Sequence, residues 1–124
     1  MPKVQVNEID LYYEFHGRAA GAIVVFVNGL LTDMSSWTRH LPFFVEDYRC
    51  LLYDCRGQGQ SDKPDHVYET AIHAEDLAEL VKTLGIERAH VVGLSNGGAA
   101  ALLFAADHPT RVDSLAVSGA YPYV

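Results

Sequence analysis

The sequence predicts an α/β fold, a doubly wound and mostly parallel sheet of about six strands whose first two are antiparallel at one edge. That expectation rests first on AIVVFV at 22–27, a continuous apolar run of the kind a strand buried on both faces requires. From there onward strand-like and helix-like segments alternate, with Gly, Pro or Asp at the junctions. In sheets of this kind ligands bind beyond the carboxyl ends of the strands.

Taken in order, residues 4–7 and 10–16 are short β-rich runs separated by Asn7-Glu8, which suits an antiparallel pair. The apolar run at 22–27 is the first interior strand. A short helix is expected from Ser35 to about Val45, capped by Ser35 or Asp33. Residues 49–53 form the next strand, and CRGQGQSDKPD at 55–65 is loop by its Gly, Asp and Pro content. Ile72, Leu77, Leu80, Val81 and Leu84 recur at helical spacing, so a helix spans 69–84 and ends at Gly85 as its C-cap. A strand at 88–94, a helix at 96–107 stopped by Pro109, and a last strand at 112–118 complete the chain.

The length of 124 residues corresponds to a single domain spanning 1–124, and an apolar fraction of 49% suits a soluble globular core. A net charge of −7 with no Lys/Arg cluster argues against nucleic acid or an anionic membrane as a partner. No apolar run approaches the roughly 18 residues of a membrane span, and the start MPKVQVNEID lacks the features of a secretory signal. A cytoplasmic location is therefore expected. Cys50 and Cys55 fall on one extended segment at roughly 16 Å separation, too far for a disulfide, and are expected to be buried thiols.

Chemistry concentrates in Gly93-Leu94-Ser95-Asn96-Gly97, which stands between a strand-type and a helix-type apolar run. A G-x-S-x-G pentad in that context is a nucleophile elbow, with Ser95 on a sharp turn and Gly93 and Gly97 where a Cβ would collide with a neighbouring element. The N–H of Asn96 opens the following helix and points toward any oxyanion formed at the serine. Asn28-Gly29-Leu30 and the 54–64 segment should meet the elbow at the same end of the sheet. Arg56, Asp62 and Lys63 are expected to lock their own loop by hydrogen bonds and ion pairs. Trp37, Phe43, Phe44 and Tyr68 read as core or pocket wall, and Asp33 as a cap.

NGLLTDMSSW, YDCRGQGQSDKP and GLSNGG, in that order and spacing, resemble the first half of the α/β-hydrolase superfamily, in particular its small esterase, lactonase and perhydrolase-like members. The resemblance covers essentially the whole chain. It implies a serine hydrolase acting on a small-molecule ester, lactone or other acyl substrate through acyl-Ser95, without cofactor or metal, and a second oxyanion donor from the N–H of Leu30. Asn28 and Gly29 support that loop; many members carry a histidine where this chain has Asn28, and an asparagine there can still hydrogen-bond locally. Serine at the elbow disfavours the aspartate-dependent dehalogenase and epoxide-hydrolase branches.

A serine needs a base, and the family order of nucleophile, acid, histidine places both partners after the elbow. His90 starts the strand that ends at Ser95, roughly 16 Å away. His108 ends the following helix, roughly 18 Å along its axis. His16, His40 and His73 read as surface or capping histidines, which leaves His66 as the in-chain candidate for the base. The acid and the histidine are otherwise expected to be absent from this chain, as are the lid and C-terminal strands, leaving it weakly active or inactive alone. Its last strand then becomes a sheet edge, and a homo-oligomer or a complementing C-terminal half is expected there. The alternative is a noncatalytic or engineered half-domain that folds and self-associates without turnover.

Overall fold

A computed structural model gives the fold, with residues 2–29, 32–65 and 68–119 described. A 6-stranded sheet runs in the order β1-β2-β4-β3-β5-β6. β1 (Lys3–Val6) and β2 (Ile9–Gly17) form an antiparallel hairpin, and β2 is also antiparallel to β4 (Tyr48–Tyr53). β4, β3 (Ala22–Val27), β5 (Ala89–Leu94) and β6 (Val112–Ser118) are mutually parallel. The hairpin turn places Asn7 at φ 46 and Glu8 at φ 72, the left-handed pair that a two-residue turn needs to match strand twist. The expected sheet, with its antiparallel first pair at one edge, is therefore the observed one.

Alternation explains the apolar runs. Val25 and Val27 of β3, with Leu51 and Tyr53 of β4, enter one core, whereas Val24, Phe26, Cys50 and Leu52 enter another on the opposite face. The first core is closed by α1 (Thr70–Thr83) through Leu77, Leu80 and Val81, and by α2 (Asn96–Asp107) through Ala101 and Phe104. Both α-helices among the described residues thus lie on one face. Gly85 at φ 75 ends α1: its N–H donates to Lys82 O at 3.1 Å and that of Ile86 to Val81 O at 2.8 Å, a Schellman cap whose Ile86 packs into the same core as Val81. Cys50 and Cys55 are buried and free, one in each core.

The second face departs from expectation. In place of a helix over 35–45 there are two single 3-10 turns, Met34–Trp37 and Leu41–Phe43. Pro42 has no N–H to give to Thr38, so an α-helix cannot run through, and i→i+3 bonds such as His40 N to Trp37 O at 2.9 Å take over. Asp33 does cap the first turn, accepting from the Ser35 N–H at 2.9 Å and from its hydroxyl, which together hold the Asp33 carboxyl below its ordinary range. Trp37 is buried against Phe26, ring centroids 5.0 Å apart, and Phe44 packs on the same ring at 5.5 Å. Phe43, expected in the core or a pocket wall, is instead 84% exposed, because the 3-10 period turns Leu41 and Phe44 inward and leaves it outside.

His73, expected at the surface, is buried on α1 beside Tyr68, and burial pushes its imidazole below the ordinary value, with the Arg56 charge acting in the same sense and Asp76 opposing it. No helix among the described residues is long and apolar enough to cross a membrane.

Candidate active site at the β5–α2 junction

Ser95 stands between the last residue of β5 and the first of α2, with φ 55 and ψ −121. That backbone is costly for a residue with a Cβ, and it persists only because its surroundings hold it. Two glycines make the turn possible. A Cβ on Gly93 would lie 2.6 Å from Gly98 Cα, and one on Gly97 would lie 2.0 Å from Asn28 O and 2.5 Å from Val27 O. The first lets the helix close on its own strand; the second lets it close on β3. On the far side the Ser95 N–H donates to Ser118 O at 2.7 Å, which ties the elbow to the end of β6.

The serine side chain is exposed and makes no capping hydrogen bond to the helix it precedes. A helix-capping role, the bland explanation of a serine at this position, is thereby removed. Asn96 opens α2, where the first N–H groups have no intrahelical acceptor and the helix dipole is positive.

The loop after β3 arrives beside the serine by register. Val27 is opposite Gly93, so Asn28 and Gly29 leave the sheet next to Leu94 and Ser95; a Cβ on Gly29 would be 3.5 Å from Ser95 Cβ. Asn28 is 2% exposed and bonded at both ends of its amide: the NH₂ donates to Tyr53 O at 3.1 Å and the carbonyl oxygen accepts from Trp37 Nε1 at 2.7 Å. It therefore braces the loop from inside, with its side chain buried away from any substrate. Leu30 and His66, expected as the second oxyanion donor and the in-chain base, lie outside the described residues.

The other histidines are engaged elsewhere. His90 pairs with Val24 at the opposite end of the strands and meets Ser114 Oγ at 2.7 Å. His16 lies against Glu14 at 2.8 Å on β2, facing Cys50 rather than the carboxyl end of β4. His108 caps the far end of α2 against Phe104, and His40 stacks edge-on to Trp37. Each described histidine is held by a local partner or by burial, and none stands at the elbow.

A cavity of about 380 Å³ opens between β2 and the Met34 turn, lined among others by Glu14, His16, Asp33, Leu52, Asp54 and Gln60. The Tyr12 hydroxyl and then His16 hold the Glu14 carboxyl below its ordinary value. Ser95 is not part of its lining. Among the described residues no group of three or more His, Cys, Asp or Glu side chains is arranged to hold a metal ion.

The 54–64 segment is only partly self-locked. Asp62 accepts from the Asp10 N–H at 2.9 Å and Lys63 donates to Gly59 O at 2.6 Å. Arg56, expected to help lock the loop, reaches Asp76 on α1 at 2.8 Å. Neither Asp76 nor the buried Asp54, whose carboxylate accepts from the N–H groups of Met34 and Gln60, is signalled by any sequence pattern. Cys55 is no nucleophile: full burial pushes its thiol up to about 12.

The family model of the alpha/beta hydrolase fold matches residues 22–124. A RutD protein of Caulobacter sp. (strain K31), whose name proposes carbamate hydrolysis, is 37% identical over 118 residues, covering 92% of this chain and 44% of the relative. A fluoroacetate dehalogenase of Burkholderia sp is 37% identical over 108 residues, covering 83% of this chain and 36% of the relative. The crystal structure of a hydrolase from Pseudomonas aeruginosa superimposes with a TM-score of 0.95 at 30% identity, over 99% of this chain and 47% of that one. The chain thus spans under half the length of the relatives it matches.

Proposed function

The chain belongs to the alpha/beta hydrolase family, and on that premise we propose that it supplies the nucleophile and oxyanion half of a serine hydrolase for carboxylic esters or lactones. The observation that carries this is Ser95 itself, held at φ 55 with an exposed side chain free of any capping bond, where a helix N-terminus and the post-β3 loop converge.

The chemistry follows. A base takes the Ser95 Oγ proton as Oγ bonds to the substrate carbonyl carbon, and the carbonyl π electrons move onto oxygen. The Asn96 N–H and the N–H that the resemblance assigns to Leu30 receive that charge, each such donor contributing on the order of 3 kcal/mol in acyl-transfer enzymes. Collapse re-forms the C=O bond and expels the alkoxide, which leaves as the alcohol with the proton the base had taken. Water repeats the sequence on acyl-Ser95, releasing the acid and the free serine. The base is His66 or a histidine contributed by a complementing C-terminal half.

An activated fluorophosphonate tests the nucleophile directly, because Oγ–P bond formation with loss of fluoride adds a mass readable on the intact chain. We expect labelling at Ser95 in the folded protein and none in Ser95→Ala. Folded wild-type chain that stays unlabelled would instead favour the noncatalytic half-domain, the alternative supported by the engagement of every described histidine away from the elbow.

The proposed partner is a second copy or the complementing half, seated on β6. Among the described residues β6 pairs on one side only, with β5, and Val117 on it is 40% exposed. Size-exclusion chromatography with light scattering at tens of micromolar should then report a mass above the 13.7 kDa of one chain; a strictly monomeric profile rules out self-association. Free, buried Cys50 and Cys55 are consistent with the proposed cytoplasmic location.

A further inference from the structure

We propose that Asp54 is a positioning residue for the Ser95 site, setting through the post-β3 loop where Gly29 stands against the elbow. The inference rests on the nucleophile reading above. Asp54 directly follows β4 and is 1% exposed. Its carboxylate uses both oxygens on backbone donors: Oδ1 accepts from the Met34 N–H and Oδ2 from the Gln60 N–H, each at 2.8 Å. Its own backbone is fixed as well, the N–H donating to Tyr12 O at 3.0 Å and the carbonyl accepting from the Ser61 hydroxyl at 2.5 Å. Ser61 Oγ in turn accepts from the Tyr12 N–H at 2.8 Å, so the carboxylate is mounted on the sheet rather than on a mobile loop. The fit leaves no slack, since a Cβ on Gly59 would lie 2.2 Å from Oδ2.

The Met34 tether reaches the serine through short, hydrogen-bonded links. Thr32 Oγ1 donates to Gly29 O at 2.8 Å, closing the loop on itself two residues before Met34. Gly29 is the residue whose added Cβ would stand 3.5 Å from Ser95 Cβ. Asn28 holds the upstream end of the same loop through Tyr53 O and Trp37. Both ends are therefore referred to the carboxyl end of β4, the upstream one through Tyr53 O and the downstream one through the Asp54 carboxylate. A displacement near 1 Å at a reacting site costs about 10²-fold in rate, so a brace of this kind acts on reactivity out of proportion to its effect on stability.

The side-chain chemistry supplies a sharp variant. A carboxylate is an acceptor at both oxygens, whereas an amide is an acceptor at one end and a donor at the other. In Asp54→Asn, whichever way the amide turns, one of the Met34 and Gln60 N–H groups faces an NH₂. Thr32→Val cuts the chain one link nearer the serine while keeping its shape. Asp62→Ala is the control, because it removes the Asp10 N–H contact on the neighbouring loop without touching Met34 or Gly29.

The experiment is the rate constant of fluorophosphonate labelling at saturating probe, on folded chains well below their thermal midpoints. Asp54→Asn and Thr32→Val should each slow it by about tenfold, with probe affinity little changed, while Asp62→Ala labels at the wild-type rate even where its midpoint falls. Wild-type rates in both Asp54→Asn and Thr32→Val would overturn the proposal and leave the nucleophile reading standing. A slowed Asp62→Ala would also overturn it, by showing that general loosening is what the rate reports. An unlabelled wild type removes the nucleophile reading and this inference with it.

Discussion

Arg56→Ala should cost about 3–5 kcal/mol of folding stability, because it strands a carboxylate that is otherwise out of reach of water. Arg56 meets Asp76 side-on, Nε to Oδ2 at 2.8 Å and Nη2 to Oδ1 at 2.9 Å, with side chains only 9% and 2% exposed. Asn7 completes the group: its side-chain amide donates to Asp76 Oδ1 at 3.0 Å, and its backbone carbonyl accepts from Arg56 Nη2 at 3.4 Å. Three separate parts of the chain, the β1–β2 turn, the start of the post-β4 loop and α1, are thus joined through one ion pair. The hydrogen bonds that Arg56 donates to Asp76 raise its pKa further above an already high value, so the guanidinium keeps its charge.

Removing one partner and removing both have different consequences. Arg56→Ala and Asp76→Ala each leave a buried charge without its counterion, whereas Arg56→Met with Asp76→Leu leaves neither. Urea unfolding should therefore show both single variants losing about 3 kcal/mol or more, with the double variant losing clearly less than their sum. A loss below about 1 kcal/mol in Arg56→Ala would place the pair in the class of exposed ion pairs and refute the expectation.

This pair also shows where sequence reasoning stops. β3 and β4 are legible because burial on both faces leaves an unbroken apolar string, and α1 because its apolar residues repeat at helical spacing up to a glycine. The elbow is legible as a local pattern of strand, G-x-S-x-G and helix, and Gly93 answers to the nearby Gly98, whereas the backbone that requires Gly97, at Val27 and Asn28, lies about 70 positions upstream. Arg56 and Asp76 are separated by 20 positions, and nothing in either neighbourhood distinguishes that pairing from one with the nearer Asp62. Asp54 is hidden in the same way: its two donors come from different loops, and only the closed sheet brings them to one carboxylate. Over 35–45 the apolar residues fit a helix, and the single Pro42 decides otherwise by denying one hydrogen bond. Phe43 is then exposed through a change of period that composition does not record.

Gly97→Ala should destabilise the protein by on the order of 3 kcal/mol, at the upper end of overpacking costs, against the usual direction of that exchange. Inside a helix alanine is favoured over glycine by about 1 kcal/mol, and Gly97 is the second residue of α2. The Cβ it would acquire lies 2.0 Å from Asn28 O, 2.5 Å from Val27 O and 2.7 Å from Asn28 C, all backbone atoms of the strand and loop that carry the site. None is the end of a flexible side chain, so relief requires the start of α2 to retreat from β3. That retreat is opposed at the elbow, where the Ser95 N–H is bonded to Ser118 O and the Ser95 carbonyl accepts from the Ala99 N–H at 3.1 Å. Gly85→Ala separates this steric effect from backbone strain: Gly85 has φ 75, yet a Cβ there meets nothing within 4 Å. Its cost should be the left-handed penalty alone, about 1–2 kcal/mol. Thermal midpoints should fall by about 11 °C in Gly97→Ala and by about 4–8 °C in Gly85→Ala. Fluorophosphonate labelling should be slowed in the first, even well below its midpoint, and unchanged in the second. Equal midpoints in the two variants would mean that α2 yields to the added methyl, and the close approach of Gly97 to Asn28 would no longer explain why the elbow needs a glycine after the serine.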